Sequence, residues 1–354
     1  MTQEHATPVT VAVDATGADL GPAEVALGAA RAAQGGLRVL LFGPAAELRG
    51  ALTAAGGSDA VEVIDAPVSI AKEPDPARAV RQLPHASIVQ AVQAVADGRA
   101  QAFVAAGATG AALAAGMGIL GRAEGIRRPA IAAPIPLPGA EVLLLDVGAN
   151  ASVRPEHLEQ FAFMGRAFAQ TVVGVEHPRV ALLSNGEEST RGTDLVREVH
   201  ERLSNHAGLG FIGNVDGAGI PAGVADVIVT DGFTGNIALK AIEGVSGEMF
   251  KLIRSTLGAS PRGKAGGLLI RGPLRGLRDT LDPELQGGAY LLGLSAVGVI
   301  AHGRFSAVGF EHAITRAGRT VREDLLSRTQ TALEAAGALH VRRKRSASPD
   351  TVTP

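Results

Sequence analysis

The sequence predicts an α/β protein built around a mainly parallel, doubly wound sheet. Short β-branched or leucine-rich runs alternate with longer alanine-rich segments through most of the chain. Most of the short runs are continuously apolar, which is typical of strands buried on both faces of a sheet. This alternation favours parallel strands that are joined by right-handed helical crossovers.

The predicted elements succeed one another without a long break. Nine strands are predicted, at 9–14, 37–43, 61–65, 102–106, 131–135, 142–146, 179–184, 208–213 and 226–230. The helices between them include 23–33, 87–96, 110–120, 155–170 and 193–203, and the region from about 236 to 336 is predicted to be mostly helical. We predict one large catalytic domain at 1–338, with a helical, basic amphipathic subregion at about 244–283. The end of the chain, 339–354, is basic and then rich in Ser and Pro, so we predict a disordered tail.

The composition excludes several classes of function. With 354 residues, 46% hydrophobic and 19% charged, and a net charge of -2, the chain has no basic excess for binding nucleic acid. It contains no cysteine, which excludes disulfides, thiolate metal sites and an acyl-cysteine intermediate. No signal-peptide pattern occurs and no run reaches about 18 apolar residues. We therefore expect a cytoplasmic protein without a membrane span.

Five loops that follow predicted strands share one composition. Each joins glycine to a small polar or acidic residue where a helix should start: "DATGADLGP" (14–22), "AAGATGA" (105–111), "DVGAN" (146–150), "SNGEESTRGTD" (184–194) and "TDGFTGN" (230–236). Free N–H groups at helix starts suit an anion, and ligands bind beyond the carboxyl ends of strands in such sheets. Any one loop has an ordinary turn or helix cap as its alternative. Together the five loops predict a shared ligand cleft.

Familiar nucleotide and nucleophile motifs are absent from the sequence. No GxxxxGK[ST] occurs, no GxGxxG is followed by an acidic residue at the required spacing, and no GxSxG is present. The nine histidines are scattered without metal-ligand spacing. We therefore expect no metal, no organic cofactor and a nucleophile that is not a protein side chain.

Ten sequence blocks follow one another in a specific order over about residues 9–318. They are "VDATGADLGP", "AGATGA", "RRPAIA", "LLLDVGAN", "FAFMGRAFAQ", "PRVALLSNGEESTRGTD", "FIGN", "ADVIVTDGFTGNIALKAIEG", "LQGGAYLLGL" and "AHG". This series resembles the bacterial phosphate acyltransferases of phospholipid synthesis, the PlsX family. The resemblance implies a three-layer α/β/α sandwich similar to phosphotransacetylases and isopropylmalate dehydrogenases. It also implies acyl transfer from acyl-carrier protein to inorganic phosphate, a homodimer, and peripheral association with the inner face of the cell membrane.

The implied reaction needs a bound phosphate as nucleophile and donors for the oxyanion that forms at the thioester carbonyl. The predicted catalytic residues are Arg191, which matches the family's active lysine, and Asn236, which can donate to the phosphate or the thioester oxygen. The other predicted substrate and phosphate ligands are Asp14, Gly17, Gly107, Thr109, Gly110, Asp146, Asn150, Asn185, Glu187, Glu188, Asp231, Gly232, Thr234, Gly235 and His302. Structural alternatives stand beside several of them: the aspartates as helix caps, the glutamates as partners of Arg191, and the histidine as a packed residue.

The chain departs from the family pattern at positions near the predicted site. Arg191 replaces a lysine; it can bind phosphate bidentately, but it cannot release a proton. Ala108 stands where the family has asparagine, and Ala301 stands where a lysine is expected before "HG". The identity of any general acid is therefore left open.

A basic amphipathic segment is predicted near the start of the last third. Residues 251–278 carry seven Lys or Arg and no Asp or Glu, and Gly272 and Pro273 interrupt the helical pattern within them. Such a segment can lie on an anionic membrane, bind the acidic acyl-carrier protein or form a dimer interface. Its predicted contact residues are Leu268, Leu269, Ile270, Arg271, Leu274, Arg275, Leu277 and Arg278.

Overall fold

The structure, a computed structural model, describes residues 8–340; the Arg278 side chain and residues 341–354 of the predicted tail at 339–354 lie outside the described residues. Within this range eleven strands form one sheet. The strands are β1 (Thr10–Asp14), β2 (Arg38–Gly43), β3 (Val61–Asp65), β4 (Ala102–Ala106), β5 (Ala130–Leu137), β6 (Ala140–Leu145), β7 (Val180–Leu183), β8 (Phe211–Val215), β9 (Val227–Val229), β10 (Ala289–Leu292) and β11 (Val297–Ala301). The first two residues of the predicted tail belong to the packed body, since the His340 N–H donates to the Gly125 carbonyl at 2.9 Å.

Thirteen α-helices are present between residues 8 and 340. They are α1 (Pro22–Gln34), α2 (Ala45–Ala54), α3 (Pro76–Gln82), α4 (Ser87–Ala96), α5 (Thr109–Ala115), α6 (Pro155–Phe168), α7 (Asp194–Ser204), α8 (Gly219–Ala222), α9 (Gly232–Gly258), α10 (Pro261–Leu269), α11 (Arg271–Thr280), α12 (Ala307–Arg322) and α13 (Leu325–Ala335). A π-helical turn extends α5 over Gly116–Leu120, another extends α6 over Ala169–Val173, and a 3₁₀ helix covers Pro283–Gln286.

Strand direction reverses within the sheet. The order is β3-β2-β1-β4-β11-β10-β5-β6-β9-β7-β8. Three neighbouring pairs are antiparallel, namely β11 with β10, β10 with β5, and β5 with β6; the others are parallel. Since β6, β7 and β9 run opposite to β1 and β4, the five predicted loops leave the sheet in two opposite directions and form two groups. Strand pairing through β11, β10 and β5 nevertheless places Leu145, the last residue of β6, level with Val104, near the end of β4.

The prediction of strands was accurate before residue 230 and incomplete after it. All nine predicted strands occur, with β8 beginning at Phe211 rather than at 208. Two strands, β10 and β11, lie in the region predicted to be mostly helical. Their runs "AYLL" and "VGVIA" are short and apolar, and periodicity alone cannot distinguish such runs from buried helix. The surrounding glycines, of which Gly287, Gly288 and Gly293 have positive φ, are the signal that favours strands and turns.

The two faces of the sheet carry separate cores. On one face α1, α6, α12 and α13 pack together; α1 approaches α12 closely at Gly28, where a Cβ atom would lie 2.6 Å from the Cβ of Phe310. On the other face the core includes α4 and α5, and the first part of α9 packs against it through Ala238, Leu239 and Ile242. This second face holds the main candidate site.

The helices α9, α10 and α11 extend the second face with a largely exposed arm. Its exposed apolar side chains include Val245, Met249, Leu252, Ile253, Leu268, Leu269, Ile270 and Leu277. The predicted interruption of the helical pattern is present and lies just before Gly272 and Pro273, because α10 ends at Leu269 and both residues belong to the first turn of α11. Proline is tolerated there, since the first N–H groups of a helix have no intrahelical acceptor.

Candidate active site

A cavity of ≈ 230 Å³ lies between α9, the second face of the sheet and the loops after β4 and β11. Its floor is apolar and includes Ile131, Ala133, Ala289 and Ile300. Polar side chains come from α9 and from the loops. The polar lining residues are Thr109, Asn236, Lys240, Glu243, Gln286 and His302. The cavity thus takes residues from both groups of strand-end loops.

The loops after β1, β4 and β11 approach one another through glycines. A Cβ atom on Gly17 would lie 1.8 Å from the Ala106 carbonyl oxygen, and one on Gly107 would lie 2.6 Å from the Gly17 oxygen. The Gly107 N–H donates to the Ala301 carbonyl at 2.8 Å, so this N–H is not free for a phosphate. Gly107 and Thr109 line the cavity, whereas Gly17 and Gly110 do not.

Asp14 fixes the loop that follows β1. Its carboxylate is buried and accepts from the Thr16 N–H at 3.0 Å and from the Ser87 hydroxyl at 2.5 Å. Burial raises the pKa of Asp14, and the hydrogen bonds from Ser87 and Thr16 oppose that shift. These contacts join the loop to the start of α4.

Asp146 fixes the loop that follows β6. Its carboxylate is wholly buried and accepts from the backbone N–H groups of Ile131, Gly148, Ala149 and Asn150 at 2.7 to 3.1 Å. The Asn150 side-chain amide also donates to this carboxylate, at 2.8 Å. Neither Asp146 nor Asn150 lines the cavity. Their contacts are those of a loop anchor.

We predict that Asp146→Ala lowers the free energy of unfolding by more than about 3 kcal/mol, because several buried N–H groups lose their acceptor together. Urea unfolding followed by circular dichroism measures the change. Asp216→Ala is the matched control, because Asp216 accepts from the N–H groups of Ala218 and Gly219 on an accessible loop. Equal losses in the two variants would contradict the anchoring role.

The loop after β9 starts α9 and sets its position. Asp231 caps the helix, since its carboxylate accepts from the N–H groups of Phe233 and Thr234 and from the Thr234 hydroxyl. A Cβ atom on Gly235 would lie 2.0 Å from the Asp146 carbonyl oxygen, and one on Gly232 would lie 2.8 Å from the Asn150 oxygen. This close approach directs Asn236, the next residue, into the cavity.

Lys240 lies one helical turn beyond Asn236 and also lines the cavity. Residues four apart share a helix face, so both side chains reach the same space. The Lys240 ammonium pairs with the Glu243 carboxylate at 2.7 Å, and its side chain is 54% exposed. Lys240 therefore brings a positive charge to the cavity. Its exposed ion pair with Glu243 is weak, so the ammonium can leave Glu243 to bind an anionic ligand.

His302 faces Lys240 from the loop after β11. Its Nδ1 accepts from the Arg304 N–H at 3.2 Å, which leaves the proton of the neutral ring on Nε2. Burial lowers the pKa of His302, and the charges of Lys240 and Arg304 lower it further. At pH 7 this ring is a neutral donor and not a cation.

We predict that Lys240→Met raises the pKa of His302, because one cause of the lowering is removed. Proton chemical shifts of the imidazole ring measure the change, with His302→Gln identifying the signal. Because the pKa of His302 is lowered in the folded state, the unfolded chain binds the proton at a higher pH than the folded chain does. The free energy of unfolding therefore falls as the pH drops below about 6.5. His302→Gln is expected to remove the contribution of this histidine to that decrease. An unchanged His302 titration in Lys240→Met would contradict the proximity of the two groups.

The loop after β7 lies apart from this cavity. Arg191 pairs with Glu188 at 3.3 Å, and their side chains are 60% and 65% exposed. Together with Glu187, they do not line the cavity. Asn185 lines a second cavity of ≈ 410 Å³ with Asp231 and Thr234. The structure thus separates the two predicted catalytic residues: Asn236 lies in the first cavity and Arg191 lies outside it.

Comparison with known protein families matches residues 9–328 to a family described as "Fatty acid synthesis protein". A phosphate acyltransferase of Elusimicrobium minutum is 42% identical over 320 residues, which cover 90% of this chain and 94% of that protein. The chain belongs to the phosphate acyltransferase family. A second family member, from Pelotomaculum thermopropionicum, is 41% identical over 325 residues, covering 92% of this chain and 95% of that protein. The predicted family and the predicted enzyme class, an acyltransferase, are confirmed.

Solved structures with the same fold include phosphotransacetylases. One, from Streptococcus pyogenes, matches with a TM-score of 0.59 and 19% identity, covering 89% of this chain and 94% of that one. A branched-chain phosphotransacylase from Enterococcus faecalis matches with a TM-score of 0.52 and 16% identity, covering 88% and 99%. The predicted α/β fold, a mostly parallel sheet flanked by helices, is confirmed. Among the described residues, no helix combines the length and apolar character needed to cross a membrane.

Sequence reasoning missed Lys240, Glu243 and Gln286, which line the cavity of this family member. Lys240 and Glu243 lie in "NIALKAIEG", the end of one of the ten family blocks, and their spacing of four and seven residues from Asn236 was a usable signal. Gln286 stands in "LQGG", just before a strand that was mistaken for helix.

Proposed function

We propose that this protein transfers a fatty acyl group from acyl-carrier protein to inorganic phosphate, giving acyl phosphate for phospholipid synthesis. The observation that carries the proposal is the cavity itself, in which a cation, an amide and a hydroxyl stand beside an apolar floor. Phosphate suits the polar side, and an acyl chain suits the apolar side. The proposal needs no metal and no organic cofactor.

In the proposed reaction a phosphate oxygen attacks the thioester carbonyl carbon directly. A carbon–oxygen bond forms, the carbon–sulfur bond breaks, and the carrier-protein thiolate leaves. Lys240 and Thr109 would hold the phosphate, and Asn236 would donate to the phosphate or to the carbonyl oxygen. A thiolate with a pKa of about 8.5 leaves without strong acid assistance, so His302 is not required as an acid.

Incubation with phosphate and long-chain acyl-carrier protein, or with phosphate and acetyl-coenzyme A, tests the proposal. Hydroxylamine traps any acyl phosphate that forms. We expect product from the acyl-carrier protein. Product from acetyl-coenzyme A alone would favour a short-chain phosphotransacetylase, which the shared fold supports as the second candidate. No product from either would leave a non-catalytic acyl or carrier-protein binding protein.

We propose that Arg191 assists catalysis, and this part rests on the family resemblance. Its exposed position suits an acidic carrier protein that delivers the thioester from outside the cavity. The pair Arg197–Asp194 on the next helix has a similarly exposed arginine, so Arg197→Ala is a control for Arg191→Ala.

We propose that the exposed arm of α9 to α11 contacts an anionic membrane surface or the carrier protein, or forms the interface of a homodimer. The exposed Leu268, Leu269 and Ile270 lie at the junction of α10 and α11, near Arg271 and Arg275. Flotation with vesicles of neutral lipid, with and without anionic lipid, separates these roles. Binding that requires anionic lipid supports membrane contact, and binding to neither favours the other two roles.

A further inference from the structure

Gln286 occupies a rigid position on the wall of the main cavity. It ends the 3₁₀ helix that precedes β10, and two glycines with positive φ follow it. A Cβ atom on Gly287 would lie 2.9 Å from the His312 backbone, and one on Gly288 would lie 2.2 Å from the Ile300 oxygen. The same 3₁₀ helix is tied to the start of α12, because Ser306 donates its N–H and its hydroxyl to the Glu284 carboxylate at 3.0 and 2.5 Å.

The orientation of the Gln286 amide follows from its partner. The Arg316 guanidinium donates to Oε1 of Gln286 at 2.7 Å. Since a guanidinium has donors and no acceptor, the atom it meets must be the amide oxygen. The two N–H donors therefore belong to Nε2, which makes no hydrogen bond to the part of the chain that the structure describes. Since Gln286 lines the cavity, these donors are available to a ligand.

Arg316 is itself held in place by the first face of the sheet. It lies 3.6 Å from the Glu141 carboxylate, and the two side chains are only 26% and 14% exposed. Burial raises the pKa of Glu141, and the Arg316 charge opposes that shift. Burial also raises the pKa of the neighbouring Tyr290 to about 12, so that Tyr290 stays neutral. Arg316 keeps its charge, and it stands on α12, which packs on the face of the sheet opposite the one that holds the cavity.

We infer that Gln286 donates to the acyl carbonyl oxygen as that oxygen becomes negative, and that Arg316 is a positioning residue that orients the amide. The inference rests on the proposed function. A neutral amide is better suited to donating to the carbonyl oxygen than to binding the phosphate. Its hydrogen bond to the carbonyl oxygen strengthens as negative charge develops there during the reaction. Lys240, which lines the same cavity, supplies the permanent charge that a phosphate requires.

Gln286→Glu tests the donor role. The variant keeps an oxygen for Arg316 and replaces the two N–H donors by a second acceptor, so the fold is retained. We expect kcat to fall by at least about 100-fold in Gln286→Glu and in Gln286→Ala, with thermal unfolding unchanged in Gln286→Glu. In Gln286→Ala the KM for phosphate should change less than threefold. The matched control is Gln330→Glu, whose exposed amide pairs with Glu334 on α13.

The positioning role is tested in a variant that replaces the buried ion pair by neutral groups, Glu141→Gln with Arg316→Met. We expect kcat to fall about tenfold, and we expect Gln286→Ala to cost less in this background than in the parent chain, because the two effects are coupled. Equal costs in both backgrounds would overturn the role of Arg316. A parent chain that makes acyl phosphate while both Gln286 variants keep kcat within threefold would overturn the donor role alone. A parent chain that makes no acyl phosphate would overturn the proposed function and this inference with it.

Discussion

Asn236→Ala is expected to lower kcat for acyl phosphate formation by about 100-fold to 1,000-fold, the usual cost of removing one preorganised donor from an acyl-transfer site. The side chain lines the cavity, and its backbone is fixed by the contact of Gly235 with Asp146. It is also exposed, so its truncation leaves no buried polar group and the fold should survive. Steady-state rates with acyl-carrier protein measure the effect.

The control for this variant is Asn205→Ala, which makes the same chemical change at the exposed end of α7. Arg191→Ala should also lower turnover while leaving the fold intact. Comparing the two variants distinguishes the role of Asn236, which faces the reacting atoms, from that of Arg191, which is proposed to guide the acyl-carrier protein. Normal rates in both Arg191→Ala and Asn236→Ala would contradict the assignment of the site.

Lys240→Met is expected to raise the KM for phosphate by about 10-fold to 100-fold, because a hydrogen bond to a charged group is worth about 1.5–3 kcal/mol. Methionine keeps most of the aliphatic stem and removes the charge. The change should appear in phosphate dependence more than in kcat, since the phosphate is charged before and during the reaction.

The same helix provides a matched control for Lys240. Lys251 pairs with Glu248 at 2.7 Å, as Lys240 pairs with Glu243, but it lies on the exposed arm. Lys251→Met should leave the KM for phosphate unchanged. Glu243→Gln should lower it or leave it unchanged, because the competing carboxylate is lost. Equal effects of Lys240→Met and Lys251→Met would show that the phosphate does not meet Lys240.

Local pattern was sufficient to predict most elements and insufficient to predict how they are arranged. Helix α4 was predicted with its observed bounds, since "SIVQAVQAVA" is periodic and lies between turns. The reversal at the β5–β6 hairpin was not predicted. It has a local signal, because Pro138 and Gly139 form the two-residue turn between the paired residues Leu137 and Ala140, and Gly139 has a positive φ. The placement of β5 beside β10, a strand that was itself mistaken for helix, depends on long-range pairing.

The candidate site was predictable at positions where close backbone packing requires a particular residue type, such as glycine. Asn236 was found because the glycines around it permit an unusually close turn, and the block order marked that turn. Asp14, Asp146 and Asp231 could not be assigned from sequence, since a cap and a substrate ligand use the same residue types. In the structure, the carboxylates of Asp146 and Asp231 accept hydrogen bonds from backbone N–H groups, and that of Asp14 accepts from Thr16 and Ser87. The proposed role of Gln286 could not be predicted from the sequence, because it depends on a hydrogen bond from Arg316, thirty positions later.

The central claim is that phosphate attacks the thioester directly, without an acylated form of the protein. Intact-mass spectrometry of the protein mixed with long-chain acyl-carrier protein, with and without phosphate, tests it most directly. We predict that the protein mass stays unchanged in both mixtures, and that free carrier protein is released only when phosphate is present. A protein species heavier by one acyl group, formed without phosphate and lost when phosphate is added, would contradict the claim.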